Sequence, residues 1–330
     1  MTLEEVKRLL NDKPQTIKFV DLDSSHAGKL DIEHKSHNRT IKINSFIHKT
    51  GTDKIFIFLS AVGIYREDVV FHRVYWSKIF KGICVYIDDP CRHEMKWAPT
   101  YYFGTKCDDY TKRIFDLIKR LQNLYSIKNE NVCIISSSNG GFAAIRLSSL
   151  LPNSTCLALC PVLSIPTRKE IVNNFQNKLS IDIRDPEISK RIDLITSNVI
   201  KDSQSNIYIY SNVASSIDNL QMKCLYNSYG HNYNPSTNCI DIFNDGKLII
   251  HMVTISGESP HTIQPGMHVC KIIYDLIANN APQNTIKAVC KSLGWIVADD
   301  SKQKSQIQDL NNRLEAFNSD LLKRNISYKS

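Results

Sequence analysis

The stretch NVCIISSSNGGFAAIRLSSLLP, residues 131 to 152, decides the fold. An apolar run stops at three consecutive serines, turns through Asn139-Gly140-Gly141 and resumes as an Ala-rich helical pattern. The reading is a strand over 131–137, a helix over 140–151 and Ser138 at the turn between them. Small residues are needed at such a junction because the helix must pack closely on the strand it follows. Gly140, Gly141, Ala143 and Ala144 supply them.

The register Ser136 to Gly141 matches G-x-S-x-G-G, with Ser136 standing where the first glycine would be. In a nucleophile elbow a sharp, strained turn lifts the serine hydroxyl clear of the sheet. Ser138 is then the nucleophile, and the backbone N–H of Asn139, at the helix N-terminus, faces a developing oxyanion. The plainer alternative is that the serines only cap the helix.

Outward from this junction, apolar runs recur at 54–61, 82–89, 155–161, 206–211 and 247–256, and weaker strand patterns at 16–22 and 39–46. Helical patterns fill the gaps, notably at 108–127, 140–151 and 268–280. Runs apolar on both faces suit a sheet covered by helices on each side. The βαβα order predicts an α/β fold with a doubly wound, mostly parallel sheet. Residues 1–50 read as an N-terminal helix with edge strands and 51–295 as the catalytic domain. Within it the helical, charged segment 162–204 is either a lid over the site or a long crossover. Beyond Ser301, the residues Ile307, Leu310, Leu314, Phe317 and Leu321 alternate in steps of three and four, so 301–325 reads as a short coiled-coil helix. It serves either docking on its own domain or homo-oligomer formation.

The chain has 330 residues with 42% hydrophobic and 22% charged content, which excludes wholesale disorder. Its net charge of +8 is scattered, with no basic-aromatic ladder, so nucleic acid is not an expected partner. None of the ten cysteines forms a CxxC pair. They read as reduced, mostly buried residues, which points to the cytoplasm, and no metal site is expected. No basic-then-apolar leader opens the sequence, and no run approaches the roughly 20 apolar residues of a membrane span.

A serine nucleophile needs a base and an acid, which in this fold follow in the order Ser, acid, His. His261 falls on the loop after the 247–256 strand, where Gly257 and Pro260 supply turn chemistry; His268 and His231 are seconds, and His251 reads as a strand residue. Asp218 is the one carboxylate close behind the 206–211 strand, and it would equally serve as a helix cap. The second oxyanion N–H belongs to the loop after 54–61, with Ser60, Ala61 and Val62 as candidates and Ala61 preferred.

From 54 to 280 the chain resembles the α/β-hydrolase superfamily. More narrowly, it is similar to bacterial capsular polysaccharide O-acetyltransferases of the meningococcal serogroup A type. The resemblance rests on FLSA (58–61), YIDDP (86–90) ahead of APTYYFGT (98–105), SSSNGG (136–141) and SGESPH (256–261). The chain departs from that group at Ser136, in lacking an acidic pair directly after the 206–211 strand, and in a segment 228–246 that looks inserted. The resemblance implies an acyl-serine on Ser138, acetyl-CoA as donor without a resident cofactor, and a glycan acceptor. An esterase shares the same residues, and a non-catalytic subunit of a glycan or secretion assembly is a third reading. Arg92, His93, Arg168 and Lys169 are the basic residues available for CoA phosphates or an anionic glycan; solvated surface charge is the plainer reading of all four.

Overall fold

A computed structural model describes residues 3–36, 39–61, 69–95, 100–179, 181–234 and 238–293. The coiled-coil expectation at 301–325 and the oxyanion candidate Val62 lie outside the described residues. Ten strands form one sheet: β1 (Gln15–Lys18), β2 (Gly28–Ser36), β3 (Arg39–Lys49), β4 (Ile55–Leu59), β5 (Ile83–Ile87), β6 (Val132–Ser137), β7 (Thr155–Leu159), β8 (Asn206–Asn212), β9 (Cys239–Phe243) and β10 (Leu248–Val253). Their order is β1-β2-β3-β5-β4-β6-β7-β8-β10-β9. The six strands from β5 to β10 in that order pair in parallel, whereas β2–β3, β3–β5 and β10–β9 are antiparallel.

Ten helices accompany the sheet among the described residues: α1 (Leu3–Asn11), α2 (Pro90–Met95), α3 (Tyr110–Tyr125), α4 (Ser138–Ser149), α5 (Lys169–Leu179), α6 (Pro186–Ile192), α7 (Val199–Asp202), α8 (Ser216–Ser228), α9 (Met267–Ala278) and α10 (Gln283–Leu293). Strand alternation divides the core into two layers. On β4, Ile55, Ile57 and Leu59 join residues of α3, α4 and α8, while Phe56 and Phe58 join residues of α9 and α10. All five are buried, which is why β4 reads as one continuous apolar run.

Two strands differ from expectation. β2 carries Lys29, Asp31, Glu33 and Lys35 in alternation with Leu30 and Ile32, a half-solvated pattern weaker than the core runs. β9 lies within the segment that looks inserted, and every residue of it is only partly buried because it closes the sheet at one edge. Conversely, the 16–22 strand pattern yields only β1, followed by a 3₁₀ turn over Phe19–Asp21.

Parallel pairing gathers the site. β4, β5, β6, β8 and β10 all end at the same edge of the sheet, at Leu59, Ile87, Ser137, Asn212 and Val253. The loops that leave those ends carry Ala61, Asp88, Ser138, Asp218 and His261. Ligand sites of open α/β sheets form at that edge.

Candidate active site

Ser138 is the first residue of α4 and has φ 52°, the left-handed region that a non-glycine residue occupies at a cost of roughly 1–2 kcal/mol. The strain is held by neighbours. Val162 N–H donates to the Ser138 carbonyl at 3.2 Å, and Ser136 Oγ donates to the Leu59 carbonyl at 2.7 Å. Ser136, at the position where glycine was expected, therefore ties β6 to β4 and is fully buried. The glycine that the turn demands is Gly140. A Cβ there would sit 2.2 Å from Ser136 Oγ and 2.8 Å from the Ser60 carbonyl oxygen. The capping alternative finds no support, since Ser137 occupies the N-cap without a side-chain capping bond.

His261 lies in a short 3₁₀ turn, Pro260–Thr262, after β10. Its Nε2 is 2.9 Å from Ser138 Oγ and its Nδ1 is 2.8 Å from Asp218 Oδ1. These distances suit a neutral imidazole that accepts the serine proton on Nε2 and donates Nδ1–H to the carboxylate. Asp218 is 1% exposed and the His261 side chain 23%, so the carboxylate is shielded while the imidazole can be reached. Asp218 sits in the first turn of α8, and Ser215 supplies that helix's cap by accepting from the Asp218 N–H. Asp218 is not the cap, which leaves its carboxylate for His261. Beside it, Cys160 is buried, and burial together with the Asp218 charge pushes its thiol well up, leaving it neutral.

The other candidate residues are placed as follows. Asn139 is buried in the first turn of α4, where helix N–H groups point out of the N-terminal end. Ser60 is fixed by two contacts: its carbonyl accepts from Tyr102 Oη at 2.9 Å, and its hydroxyl donates to the Val70 carbonyl. Ala61 N–H donates to His72 Nδ1 at 3.1 Å, so here it faces an imidazole rather than open space. Burial, reinforced by Arg73, lowers the His72 pKa to about 4 and keeps the ring neutral.

Arg92 and His93 converge on buried Asp88, at 2.6 and 2.8 Å from its Oδ2. Burial of that carboxyl is outweighed by the hydrogen bonds from His93 and Val70 N–H and by the Arg92 charge, which lower its pKa. The Arg92 charge is thus engaged inside the protein. Arg168 is half-buried at the entrance to α5, near enough to Tyr101 for its charge to act on the phenol, and Lys169 is exposed. The segment 162–204 is anchored: Arg191 donates to the carbonyls of Phe103, Thr105 and Lys106 and lies over the Phe103 ring, and Ser164 donates to Asp193 at 2.9 Å. His251 is held between Tyr208 Oη and Asn238 Oδ1 on β10, and His268 is exposed on α9. Neither takes part in the Ser138 cluster. Among the described residues no group of His, Cys, Asp and Glu side chains could hold a metal ion.

No protein-family model and no curated protein matches the sequence. Solved structures do match. The capsule O-acetyltransferase of Neisseria meningitidis serogroup A superposes with a TM-score of 0.52 at 15% identity, covering 79% of this chain and 99% of that one. A histidine-to-alanine variant of that enzyme in complex with CoA gives 0.52 at 16% identity over the same shares. Dipeptidyl peptidase 4 of Porphyromonas gingivalis gives 0.50 at 10%, covering 77% of this chain and 36% of that one. The chain has the α/β-hydrolase fold.

Within this α/β-hydrolase frame, two residues that the sequence did not single out shape the site. Asn212, the last residue of β8, is fully buried and fastens the loop that carries His261. Its Nδ2 donates to the carbonyls of Ile255 and Pro260 at 2.8 and 2.9 Å, and its Oδ1 accepts from Ile255 N–H at 3.0 Å. Arg73 reaches from a different loop to Ser137 Oγ at 2.9 Å and Gln264 Oε1 at 3.1 Å. The polar pair Ser211-Asn212 that ends the apolar run of β8 was a legible signal for Asn212. Arg73 lies in a stretch without periodicity, where no local pattern announces it.

Among the described residues no helix is long and apolar enough to cross a membrane.

Proposed function

We propose that this α/β-hydrolase-fold protein is a serine acyltransferase that moves an acetyl group from acetyl-CoA to a hydroxyl of a bacterial surface glycan. The observation that carries the reading is the hydrogen-bonded chain from Ser138 Oγ through His261 to Asp218, set on a strained elbow. His261 Nε2 takes the Ser138 proton as Oγ attacks the thioester carbonyl, and Asp218 steadies the imidazolium that forms. Negative charge builds on the carbonyl oxygen, against the N-terminal end of α4 and the Asn139 N–H. Collapse of this intermediate breaks the C–S bond, and the CoA thiolate leaves with the proton held by His261. The glycan hydroxyl then gives its proton to His261 as it attacks the acetyl-serine, and collapse of the second intermediate breaks the bond to Oγ, which takes that proton back from His261 and restores Ser138. With water in place of the glycan, the same cycle is an esterase.

The fold shared with a capsule O-acetyltransferase, one of whose variants was solved with CoA, supports the choice of donor and acceptor. No resident cofactor enters the cycle. Arg168 and Lys169, on the side of α5, are the charges we assign to an anionic part of either substrate. A cytoplasmic setting fits a CoA-linked donor and ten cysteines without a disulfide among them. The tail at 301–325 remains a candidate for self-association.

The test combines a fluorophosphonate probe with a transfer assay. Labelling of the wild type that is lost in Ser138→Ala, together with an acetyl group gained by a glycan from acetyl-CoA, supports the transferase. Labelling with only thioester or ester hydrolysis supports the esterase, and absence of labelling supports a non-catalytic subunit.

A further inference from the structure

Among the described residues, Arg73 lacks the aspartate partner that several other arginines of the sheet edge and its helices have. Arg92, Arg113, Arg146 and Arg191 each face an aspartate. Arg73 has no carboxylate within ion-pair distance among the described residues, and its two side-chain acceptors, Ser137 and Gln264, are neutral. Its guanidinium also lies 5.2 Å from the centre of the Trp76 ring. Burial lowers its pKa, opposed by the nearby Cys270. The backbone there is left-handed, φ 63°, so the chain accepts local strain to hold this side chain in place. A desolvated cation without a counter-charge costs stability, and such costs are characteristic of functional sites.

Both acceptors belong to the catalytic elements. Ser137 immediately precedes the elbow serine, and Gln264 donates from Nε2 to the His261 carbonyl at 3.4 Å. One guanidinium therefore joins the strand that carries Ser138 to the loop that carries His261. We propose that Arg73 is a cationic positioning residue: its Nη2, donating to both Ser137 Oγ and Gln264 Oε1, sets the Ser138–His261 separation, and its charge, facing no aspartate or glutamate among the described residues, favours the negative charge that develops at the elbow. This rests on the reading of Ser138 and His261 as nucleophile and base. Lysine cannot replace it fully, since an ammonium on a flexible stem keeps the charge but not the rigid plane that lies against Trp76 and aims Nη2 between Ser137 and Gln264.

The experiment measures hydrolysis of p-nitrophenyl acetate, fluorophosphonate labelling and thermal melting for wild type, Arg73→Lys, Arg73→Met, Arg73→Ala and Gln264→Ala. The expected result is a kcat loss of about 100-fold in R73M. KM should stay within about threefold, because a positioning group acts on the transition state rather than on ground-state binding. R73K and Q264A should fall between R73M and wild type, and added guanidinium ion should restore part of the activity of Arg73→Ala. R73M should melt no lower than wild type, because it removes a half-buried charge that faces no carboxylate among the described residues. Wild-type kcat in R73M overturns the proposal, as does a kcat loss that merely follows loss of folded protein, or a rise in KM with kcat intact. In those cases wild type still labels at Ser138, so only the role of Arg73 fails. A wild type that neither labels nor hydrolyses the ester overturns the Ser138 reading, and the proposal with it.

Discussion

Asp218 and His261 are 43 residues apart in sequence, and Asp218 Oδ1 sits 2.8 Å from His261 Nδ1. Asp218 comes late after β8 because the chain first turns through residues 213–215 and starts α8, whose first turn holds the carboxylate at 1% exposure. Asp218→Asn keeps the shape but offers an amide where the imidazole needs an acceptor, so the tautomer that receives the Ser138 proton is lost. We expect kcat to fall by about 10³–10⁴ with little change in KM, measured on an activated acetyl ester. An unchanged kcat would remove Asp218 from the proposed triad.

Asn212 should control the placement of His261 without touching it. Asn212→Ala leaves the carbonyls of Ile255 and Pro260 and the Ile255 N–H without their side-chain partner. About 1–3 kcal/mol of stability should be lost for the unsatisfied buried groups, together with a disproportionate drop in serine-probe labelling. Comparing the labelling rate of the folded fraction with the denaturation midpoint separates the two effects.

Gly140 is required by close approach. Gly140→Ala brings a Cβ against the Ser60 carbonyl and Ser136 Oγ, and overpacking of that kind costs about 1–3 kcal/mol. Because Ser60 lies at the end of β4 beside the expected oxyanion loop, activity should drop more than stability. Urea denaturation and ester hydrolysis on the same preparation would check this, and a fully active, fully stable variant would contradict the packing described.

Stability should fall on acidification from about 6.5 toward 4. His251 and His72 both have pKa values lowered from 6.5 to about 4 by burial. In that window the unfolded chain binds protons that the folded protein refuses, so stability rises with pH across it and is flat above it. For His251, between Tyr208 and Asn238, the lowered pKa corresponds to on the order of 3 kcal/mol. Chemical denaturation from pH 7.5 to 4.5 should show the loss, and His251→Gln should flatten the slope by about one proton. An identical slope in the variant would show that His251 does not titrate this way.

The β4, β6, β7, β8 and β10 runs and the elbow at Ser138 were legible because each is a local pattern: continuous burial on both faces, then small residues where a helix must pack on a strand. His261 could be placed for a related reason, since a loop directly after a buried strand is confined to one edge of the sheet. β9 was passed over because an edge strand is only half buried, and β2, next to the short edge strand β1, because charged residues alternate with its apolar ones.

What local sequence determined is therefore the parallel core and the edge on which the chemistry lies. Tertiary structure alone decided the contacts made across that edge. Asp218 rather than a residue nearer β8 faces the imidazole, Arg92 is spent on Asp88, Ala61 N–H meets His72, and Arg73 spans Ser137 and Gln264. Each joins residues from different loops, whose meeting depends on strand order in the sheet, and strand order leaves no trace in the spacing of residues along the chain.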